Sequence, residues 1–513
     1  MQVIYNHKQI KLLESNILEH QGMTEEELRA QKSNAFCMQF KKDFFGRQKI
    51  VLFTGPNENG ALGLRIATTL ASLSHDIMVV LLNPTGTLPE EVILERDNFL
   101  ASFEEYLMEV TSQFAPPIIN ENDIIIDAIC GTEQQTPLTG TIPNVIRYLN
   151  SLVATKISVG IPSGLLESDN RDNDYSKIFA AQLTYTFFSP KLSFLFKENS
   201  SYIGVWTVMN LGVQLPKSSI ESDFQFFGSL DMEQAIPKRP RHSHKYDFGK
   251  VLLIAGSKGM VGASILAGKA ALYSGAGHLT LHIPQGYEGA IHAALPEALV
   301  SSDASNNYLT ATNLDIKDYD AIAVGPGLGR AKESELALEQ ILKHSQCPII
   351  LDADALNLIA FSEKDLLNHI PKGSILTPHE GEFDRLFGAS SSSFERLMRA
   401  KEIAQEKQIY ILLKGAYSAT CSIDGKVYFN TSGNPGLATA GTGDVLTGIL
   451  LALLGKGHSA LESCCIAAFI HGFSADLYAS SFCQESLTAT QLIEQIPIAF
   501  KRYKNDREQP FYY

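Results

Sequence analysis

Short apolar runs that alternate with amphipathic stretches restrict the fold of this chain more than any other feature. After a segment with helical spacing at residues 9–45, the first such runs lie at residues 50–53, 77–82, 123–127, 157–159, 183–188 and 205–209. Strands that are buried on both faces of a parallel sheet read as continuous apolar runs, and the helices between them read as amphipathic stretches. The pattern therefore predicts an α/β fold with helices around a parallel sheet.

A second series of the same kind begins near residue 250. Six further runs predict buried strands, at residues 250–255, 279–283, 321–325, 349–352, 375–377 and 410–414. A hairpin-like pair follows around Asp424-Gly425, and residues 446–473 predict two packed helices. Between residues 216 and 240 the pattern lapses into polar residues with two prolines, which predicts a linker. Since 513 residues are too many for one compact core, we expect two α/β domains in tandem, at residues 1–215 and 241–505.

The composition is that of an ordinary globular protein, with 45% hydrophobic and 19% charged residues. An excess of acidic residues, 56 Asp and Glu against 42 Lys and Arg, argues against a general binder of nucleic acids or membrane surfaces. The seven cysteines include no CxxC pair and indicate reduced thiols. The first residues show no apolar signal region, and no uncharged run approaches membrane-spanning length. We therefore expect a cytoplasmic protein.

A glycine-rich turn, NPGLATAGTGD at residues 434–444, runs directly into the apolar stretch at residues 445–454. Glycines that open a helix leave backbone N–H groups free to hold an anion, and the helix dipole adds to that attraction. Asp444, directly behind them, stands where a substrate hydroxyl would meet a phosphoryl group, and a carboxylate there can accept the proton. The turn indicates a phosphoryl-transfer site for a small molecule. By itself it leaves open the alternative of a glycine-rich cap on a buried helix.

Four other segments follow predicted strands, at the carboxyl ends where open α/β sheets bind their ligands. They are VGPGLG (324–329), DADALN (352–357), TPHEGE (377–382) and KGAYS (414–418). The glycines of the first segment let the backbone approach a ligand closely. The second segment has two carboxylates, of which a helix cap would explain one. The third brings a histidine and an acid to the sheet edge that holds the glycine-rich turn, and the fourth can hold a nucleotide phosphate.

In this order, the five segments resemble the ribokinase-like fold and, within it, the ADP-dependent NAD(P)H-hydrate dehydratase family. The resemblance runs from His244 to about Phe500 and includes HK at 244–245, AGS at 255–257, MVGA at 260–263 and SGAG at 274–277. It implies repair of (6S)-NADHX and NADPHX, in which the nicotinamide ring carries a hydroxyl beside its nitrogen. ADP phosphorylates that hydroxyl, and loss of phosphate then restores NADH or NADPH and leaves AMP.

The resemblance also implies roles for individual residues. Asp444 would contact the hydroxyl and act as the base, while the amides of Gly441 and Gly443 would stabilise the transferring phosphoryl group. Gly443 would bind ADP or AMP together with one loop, formed by Lys414, Gly415, Ala416, Tyr417 and Ser418. The hydrated nucleotide would be positioned by Ala263, Gly325 and His379. Glu382 resembles the acid that orders Mg²⁺ in ribokinase-like enzymes. The family resemblance further suggests a homo-oligomer.

One alternative enzyme class shares the fold and the GTGD turn. Small-molecule kinases of the hydroxymethylpyrimidine or pyridoxine type would use the same turn to phosphorylate a stable alcohol. The histidine at position 379 favours the dehydratase, because related kinases generally carry a different residue there.

Residues 1 to about 215 resemble the NAD(P)H-hydrate epimerase family, which implies a Rossmann-like, three-layer sandwich. The resemblance rests on the loop GPNENGALG (55–63) and on DAICGT (127–132), IPSG (161–164) and SPK (189–191). The positions that match the family's potassium ligands, Asn59, Asp127 and Ser163, are retained. The resemblance therefore implies that K⁺ binding can persist in this domain.

The first domain also departs from the epimerase pattern. The family loop reads GxGNNGGDG, so that Asn57, Glu58, Ala61 and Leu62 replace Gly, Asn, Gly and Asp, and the family motif DIPSG begins here with Gly160. Epimerisation at the hydrated carbon needs a proton relay or a polar group to support ring opening, and glycine supplies neither. The changes to leucine and glutamate also weaken binding of an anionic dinucleotide, through lost hydrogen bonds and repulsion. We expect a weak or inactive epimerase half, with a nucleotide-sensing or assembly module as the non-enzymatic alternative.

Overall fold

The computed structural model describes residues 2–112, 114–213, 220–237, 239–310 and 314–503. The chain divides into two compact units. The N-terminal unit comprises residues 3–222 with 392–394, and the C-terminal unit comprises Gln2, residues 223–391 and the described residues from 395 onward. Each unit has its own β-sheet, and the short strand β1 (Gln2–Val3) is counted with the sheet of the C-terminal unit.

The N-terminal unit is built on a seven-stranded parallel sheet in the order β4-β3-β2-β5-β6-β7-β8. Its strands are β2 (Lys49–Thr54), β3 (Asp76–Leu82), β4 (Leu107–Val110), β5 (Ile124–Ala128), β6 (Thr155–Val159), β7 (Leu183–Phe187) and β8 (Val205–Met209). Its helices are α1 (His7–Gln21), α2 (Glu25–Asp43), α3 (Glu58–Ser72), α4 (Glu90–Phe103), α5 (Ile142–Ser151) and α6 (Ser200–Ile203). The strand order reverses between β2 and β5, and such a reversal opens a ligand-binding crevice at the carboxyl ends of the two strands.

The central strand β2 shows why this unit has three layers. Successive side chains of a strand point to opposite faces of the sheet. Ile50 and Leu52 belong to a buried cluster with residues of α2 and α3, whereas Val51 and Phe53 belong to a second cluster with residues of α5. Apolar side chains on both faces require helices on both faces, so the predicted α/β class is confirmed.

The C-terminal unit is built on a larger sheet in the order β1-β9-β18-β17-β16-β15-β14-β13-β10-β11-β12. Its further strands are β9 (Phe224–Phe227), β10 (Lys250–Ile254), β11 (His278–Ile283), β12 (Leu299–Ser302), β13 (Ala321–Val324), β14 (Ile349–Leu351), β15 (Ile375–Leu376), β16 (Tyr410–Leu413), β17 (Ala419–Cys421) and β18 (Val427–Asn430). Its helices are α7 (Ser229–Ala235), α8 (Val261–Tyr273), α9 (Glu288–Ala294), α10 (Lys332–His344), α11 (Asp354–Phe361), α12 (Glu380–Phe387), α13 (Ser393–Lys407), α14 (Thr442–Gly455), α15 (Ala460–Ala479) and α16 (Ala489–Tyr503). Strands β10 to β16 are parallel, and β17 runs antiparallel to both of its neighbours.

The prediction of a linker over residues 216–240 is wrong for most of the part that the structure describes. Residues 216–219 and 238 lie outside the described residues, but β9 and α7 fill most of the remainder and belong to the C-terminal unit. Strand β9 pairs with β18, and the rings of Phe224 and Phe226 pack against Phe429. Aromatic residues favour strands because they pack on a pleated surface. Phe429, their partner here, lies about 200 residues further along the chain, so the local sequence does not reveal the contact.

Two apolar helices form the interior of the C-terminal unit, as the sequence predicts for residues 446–473. Helix α14 approaches α8 at Gly448, where a Cβ atom would lie 2.1 Å from the carbonyl oxygen of Ala267. Helix α15 is long and apolar enough to cross a membrane by length and composition alone, but 61% of its apolar window is buried inside the unit. A helix that is apolar all round and packed on its neighbours is typical of a protein core.

Candidate active sites

The carboxyl ends of four strands in the C-terminal unit bring the predicted segments to one edge of the sheet. At the end of β13, a Cβ on Gly325 would lie 1.8 Å from the carbonyl oxygen of Asp352, which follows β14. His379, after β15, forms a parallel bridge with Lys414, after β16. The backbone N–H of Lys414 donates to the carbonyl of Pro378 at 2.9 Å. The first two segments therefore meet at Gly325 and Asp352, and the other two meet at His379 and Lys414.

The ammonium group of Lys414 lies at the centre of this edge. Its Nζ donates to Oδ1 of Asp352 at 2.9 Å and lies 3.7 Å from Oε2 of Glu382. A Cβ on Gly443 would be 3.8 Å from the same nitrogen, so Lys414 reaches the first turn of α14. Burial by itself lowers the pKa of Lys414, but the carboxylates of Asp352 and Glu382 outweigh it and raise the pKa above its usual value. Lys414 is therefore a fixed positive charge beside the glycine-rich turn.

Asp352 connects this lysine to α14. The residue is 1% exposed, and its Oδ2 accepts a 2.7 Å hydrogen bond from the hydroxyl of Thr447. Burial by itself raises the pKa of Asp352. The charge of Lys414 and the hydrogen bond from Thr447 outweigh burial and hold the pKa below its usual value, so the carboxylate stays ionised. One carboxylate thus holds the lysine after β16 and the helix that carries Asp444.

Asp444 lies in the first turn of α14, which begins after Gly441 with a left-handed backbone (φ 89°). Its side chain is half-buried. Burial, and then the negative charge of Asp352, raise the pKa of Asp444 to about 7, while Lys414 opposes the shift. A carboxyl group with a pKa near neutrality is suited to accept and release a proton, and such shifts are common at functional sites.

The predicted nucleotide loop extends outward from Lys414. Gly415 and Ala416 are exposed, Tyr417 and Ser418 are partly buried, and no atom lies within 4 Å of a Cβ built on Gly415. The hydroxyl of Ser418 donates to the carbonyl of Gly415 at 3.1 Å and closes the turn. The space at Gly415 is therefore open, and Lys414, the first residue of the loop, reaches the N-terminus of α14, where an anion is stabilised.

The three residues predicted to position the hydrated nucleotide border the same edge. Ala263 lies in the first turn of α8, and its Cβ is 3.0 Å from a Cβ built on Gly327, within the loop that begins at Gly325. His379 has a second role that sequence reasoning missed, since it is the N-cap of α12. Its Nδ1 accepts from the backbone N–H groups of Gly381 and Glu382 at 3.0 and 3.3 Å. This cap fixes the ring, whose half-exposed Nε2 lies 3.5 Å from Oε1 of Glu382.

Three further residues border the site, of which only Asp354 lies in a segment that the sequence analysis singles out. Asp354 accepts from the backbone N–H of Gly329 at 2.9 Å, and Thr447 binds Asp352 as described. His471 donates from Nε2 to the carbonyl of Thr442 at 2.9 Å, and burial lowers the pKa of this histidine to about 4. Thr447 lies three residues after Asp444 on the same face of α14. This spacing can be read from the sequence and could have indicated that Thr447 borders the site. Nothing in the sequence distinguishes His471 from a core histidine.

The backbone is strained between the two carboxylates that follow β14. Ala353 has φ 48° and ψ −116°, a conformation that residues with a Cβ rarely adopt. Strain of this kind costs about 1–3 kcal/mol and is retained where surrounding structure over-determines it, often at ligand sites. Here it lies between Asp352 and Asp354, whose side chains have different partners.

The acidic residues of this edge fit a magnesium ion that arrives with a nucleotide. Within residues 2–503, apart from the gaps given above, no group of three or more His, Cys, Asp or Glu side chains could hold a metal ion by itself. Glu382 accepts from the backbone N–H of His379 through Oε2, and its Oε1 lies 3.5 Å from the ring of the same histidine. Mg²⁺ is commonly bound through one or two carboxylates together with phosphates and water, so a single acid suffices.

The N-terminal unit has a cavity of about 360 Å³ at the crevice between β2 and β5. Glu58, Asn59, Leu62 and Gly160 line it, which are four of the positions that the resemblance to the epimerase family singles out. Gly160 has a left-handed backbone (φ 79°), and a Cβ there would be 3.6 Å from Oδ1 of Asn59. The structure therefore places three of the five departures from the family pattern, at positions 58, 62 and 160, around one cavity.

Two of these departures alter the cavity's chemistry. Leu62 is 5% exposed and belongs to the apolar core of the unit. Glu58 forms an ion pair with Lys11 of α1. Burial raises the pKa of Glu58, but the charges of Lys32 and Lys11 outweigh it and hold the pKa below its usual value. A carboxylate is therefore missing at position 160 but present at position 58, where lysines neutralise it.

The three residues predicted to bind K⁺ belong to one hydrogen-bonded network. Asp127 is fully buried and accepts from the backbone N–H of Ser163 at 2.8 Å and from its hydroxyl at 2.6 Å. Burial raises the pKa of Asp127 to about 6 against these hydrogen bonds. Asn59 donates to the carbonyls of Cys130 and Val159, and the N–H of Cys130 donates to Ser163. The carboxylate, hydroxyl and amide oxygens gathered here are of the kind that an alkali cation binds.

Comparison with known proteins shows the family of the chain. A family model described as NAD(P)H-hydrate dehydratase matches residues 251–498, and a model described as the N-terminus of YjeF-related proteins matches residues 26–193. A bifunctional NAD(P)H-hydrate repair enzyme from Moorella thermoacetica is 32% identical, and the alignment covers 90% of this chain and 89% of that protein. The chain belongs to the bifunctional NAD(P)H-hydrate repair enzyme family.

One further relative agrees with this assignment, and one solved structure shows the fold of the second half. The repair enzyme of the same name from Thermofilum pendens is 30% identical over 98% of this chain and 96% of that protein. A ribokinase-like superfamily protein from Enterococcus faecalis has a TM-score of 0.50 and 28% sequence identity, and the match covers 56% of this chain and 99% of that structure. The predicted ribokinase-like architecture of the second half is thereby confirmed.

Proposed function

We propose that this protein repairs hydrated NADH and NADPH, and that its C-terminal unit is an ADP-dependent NAD(P)H-hydrate dehydratase. The observation that carries the proposal is the position of Asp444 at the N-terminus of α14, beside the Lys414–Asp352 pair. A proton acceptor, an anion-binding helix end and a fixed cation at one sheet edge are what phosphoryl transfer to a hydroxyl requires.

The chemistry follows from these three groups. Asp444 takes the proton of the hydroxyl beside the ring nitrogen as the hydroxyl oxygen attacks the terminal phosphorus of ADP. The amides of Gly441 and Gly443 and the ammonium of Lys414 stabilise the charge on the transferring phosphoryl group. Hydroxide is a poor leaving group, but phosphate is a good one. The nitrogen lone pair then expels phosphate, and loss of a proton from the neighbouring carbon restores the dihydronicotinamide.

The remaining binding roles complete the proposal. ADP and AMP lie along Lys414–Ser418 and Gly443, and the hydrated nucleotide lies against Ala263, Gly325 and His379. Glu382 would hold Mg²⁺ together with the phosphates, and the ion would supply positive charge there. In the N-terminal unit K⁺ is held by Asn59, Asp127 and Ser163. The protein acts in the cytoplasm as a homo-oligomer; its free cysteines accord with a reducing compartment.

The test is recovery of dihydronicotinamide absorbance from purified NADHX and NADPHX with ADP and Mg²⁺. We expect recovery that depends on ADP and releases AMP and phosphate in equal amounts. A small-molecule kinase would instead accumulate a stable phosphorylated alcohol and leave NADHX unchanged, so that outcome would replace the dehydratase by the alternative class.

The pKa of Asp444 predicts the pH dependence of this reaction. Because Asp444 must be deprotonated to act as a base, and burial and Asp352 raise its pKa to about 7, the kcat/KM for NADHX should be low in acid. We expect it to rise about tenfold per pH unit below pH 7 and to level off above it. Steady-state rates between pH 5.5 and 8.5 will show whether the rise occurs. A flat profile would remove the titrating base from the mechanism.

For the N-terminal unit we propose weak epimerisation, because Gly160 supplies no carboxylate and Leu62 no polar group to the cavity. Replacing both residues by aspartate (Gly160→Asp with Leu62→Asp) should then increase the rate at which one epimer converts to the other. The left-handed backbone at position 160 tolerates aspartate better than most residues, whereas a charge at the buried position 62 lowers stability.

Two controls make this prediction specific. Gly160→Asn has the shape of the aspartate without its charge and should leave the rate unchanged. Gly160→Asp alone avoids the buried charge at position 62. Epimer ratios are followed by chromatography, and no gain over an already active wild type would contradict the proposal of a weak epimerase.

A further inference from the structure

The cavity of the N-terminal unit contains a buried lysine that the departures from the epimerase pattern leave unexplained. Lys191 follows β7, lines the cavity and is 3% exposed. Its ammonium donates to the carbonyl of Ser189 at 3.3 Å, and within the described part of the chain it forms no ion pair. Each neighbouring cation of the cavity does have a carboxylate partner: Lys11 pairs with Glu58, Lys32 with Glu14, and Arg29 with Glu95.

A buried ammonium with one long hydrogen bond is costly unless it serves a ligand or becomes neutral. Burial lowers the pKa of Lys191 to about 8, although Glu167 and Glu14 act in the opposite direction. A lysine in this range can take and return a proton near neutral pH, as catalytic lysines do. The cavity therefore retains a proton-transfer group although position 160 has lost one.

We propose that Lys191 is the proton-transfer residue for epimerisation of hydrated nicotinamide nucleotides in the N-terminal cavity, in place of the carboxylate absent at Gly160. The inference rests on the proposed function, because it takes NADHX and NADPHX as the substrates. On this proposal, the weak epimerase activity of the N-terminal unit depends on Lys191, which lines the same cavity as Gly160.

The reaction needs no further reactant. The neutral amine of Lys191 removes the proton of the hydroxyl beside the ring nitrogen. The oxygen electrons form a C=O bond as the carbon–nitrogen bond breaks, and the new ammonium returns the proton to that nitrogen. Rotation of the open-chain aldehyde presents its other face to the nitrogen. The reverse steps close the ring with the opposite configuration and restore Lys191 to its neutral form.

Several charged groups face Lys191 and influence its proton. Glu14 and His7 come from α1, Lys32 comes from α2, and Glu167 comes from the loop after β6. Glu167 is engaged by the backbone N–H of His7 at 2.7 Å. Glu167 and Glu14 raise the pKa of Lys191 and Lys32 lowers it, but burial outweighs the two carboxylates and keeps the pKa below its ordinary value. Epimerisation should therefore increase as pH rises toward 8.

The test uses the full-length protein with Asp444→Asn, so that the dehydratase does not consume either epimer. A single purified epimer of NADHX is incubated from pH 6.5 to 9, and the other epimer is measured by chromatography after subtraction of the protein-free rate. We expect an excess rate that rises up to about pH 8. Adding Lys191→Met should abolish it, and adding Lys191→Arg should abolish it too, because arginine keeps the charge without titrating.

Lys156→Met is the matched control. Lys156 is also a buried lysine, 8% exposed, but it donates to the carbonyl of Leu152 and does not line the cavity. The Lys156→Met variant should leave the excess rate of epimerisation unchanged. The proposal is overturned if there is no excess rate, if either Lys191 variant keeps it, or if it does not change with pH. Failure of the dehydratase is distinguished separately, by absent ADP-dependent recovery of absorbance with the wild type.

Discussion

Replacing Asp444 by asparagine is expected to lower kcat for ADP-dependent recovery of NADH by ~10²–10⁴-fold, the contribution typical of a positioned general base. The amide has the size of the carboxylate but cannot accept the hydroxyl proton. The KM for ADP should change little, because the ammonium of Lys414 and the N-terminus of α14 remain in place. Single-turnover measurements with purified (6S)-NADHX separate the chemical step from product release.

The control for this variant lies at the opposite edge of the same sheet. Asp320 accepts from the backbone N–H of Lys250 at 2.7 Å, at the amino ends of β13 and β10. Asp320→Asn should leave kcat and KM near those of the wild type. If Asp444→Asn retained the wild-type rate, proton transfer would have to occur elsewhere and the proposed mechanism would be wrong.

Asp352→Asn is expected to have the second largest effect, through two linked changes. The asparagine can still accept from Thr447, but the negative charge 2.9 Å from the Lys414 ammonium disappears. Breaking a buried ion pair by removing one partner costs about 3–5 kcal/mol, because the remaining charge stays desolvated. Lys414 then has Glu382 as its nearest acid, and we expect kcat/KM to fall by ~10²-fold through loss of electrostatic stabilisation.

The same variant has a signature that a merely structural effect would not produce. Since Asp352 repels the charge of Asp444, its removal should lower the pKa of Asp444 and move the acid limb of the pH–rate profile to lower pH. Adding Lys414→Met removes the unpaired charge and should recover part of the thermal stability without recovering activity. An unshifted profile in Asp352→Asn would contradict the coupling between the two carboxylates.

The sequence alone was sufficient for the buried strands. Continuous apolar runs predicted β2, β3, β5 and β10 within one or two residues, because strands buried on both faces leave no polar positions. Edge strands such as β4 (LMEV) and β12 (LVSS) were missed, since one side of each strand has no partner and tolerates polar residues. Strand β9 lies within the predicted linker, because its partner β18 is remote in sequence and local patterns do not reveal the pairing.

The same division applies to the sites. Sequence motifs predict which residues carry the chemistry, because a glycine turn ahead of Asp444 and a lysine after a strand are local patterns. Only the tertiary structure decided their charge states and partners. Asp352 binds Thr447, which is 95 positions away in the sequence, and Lys414, which is 62 positions away. Lys191 is buried among residues that are likewise remote in the sequence. A pKa depends on burial and on neighbouring charges in space, and the fold sets both of these.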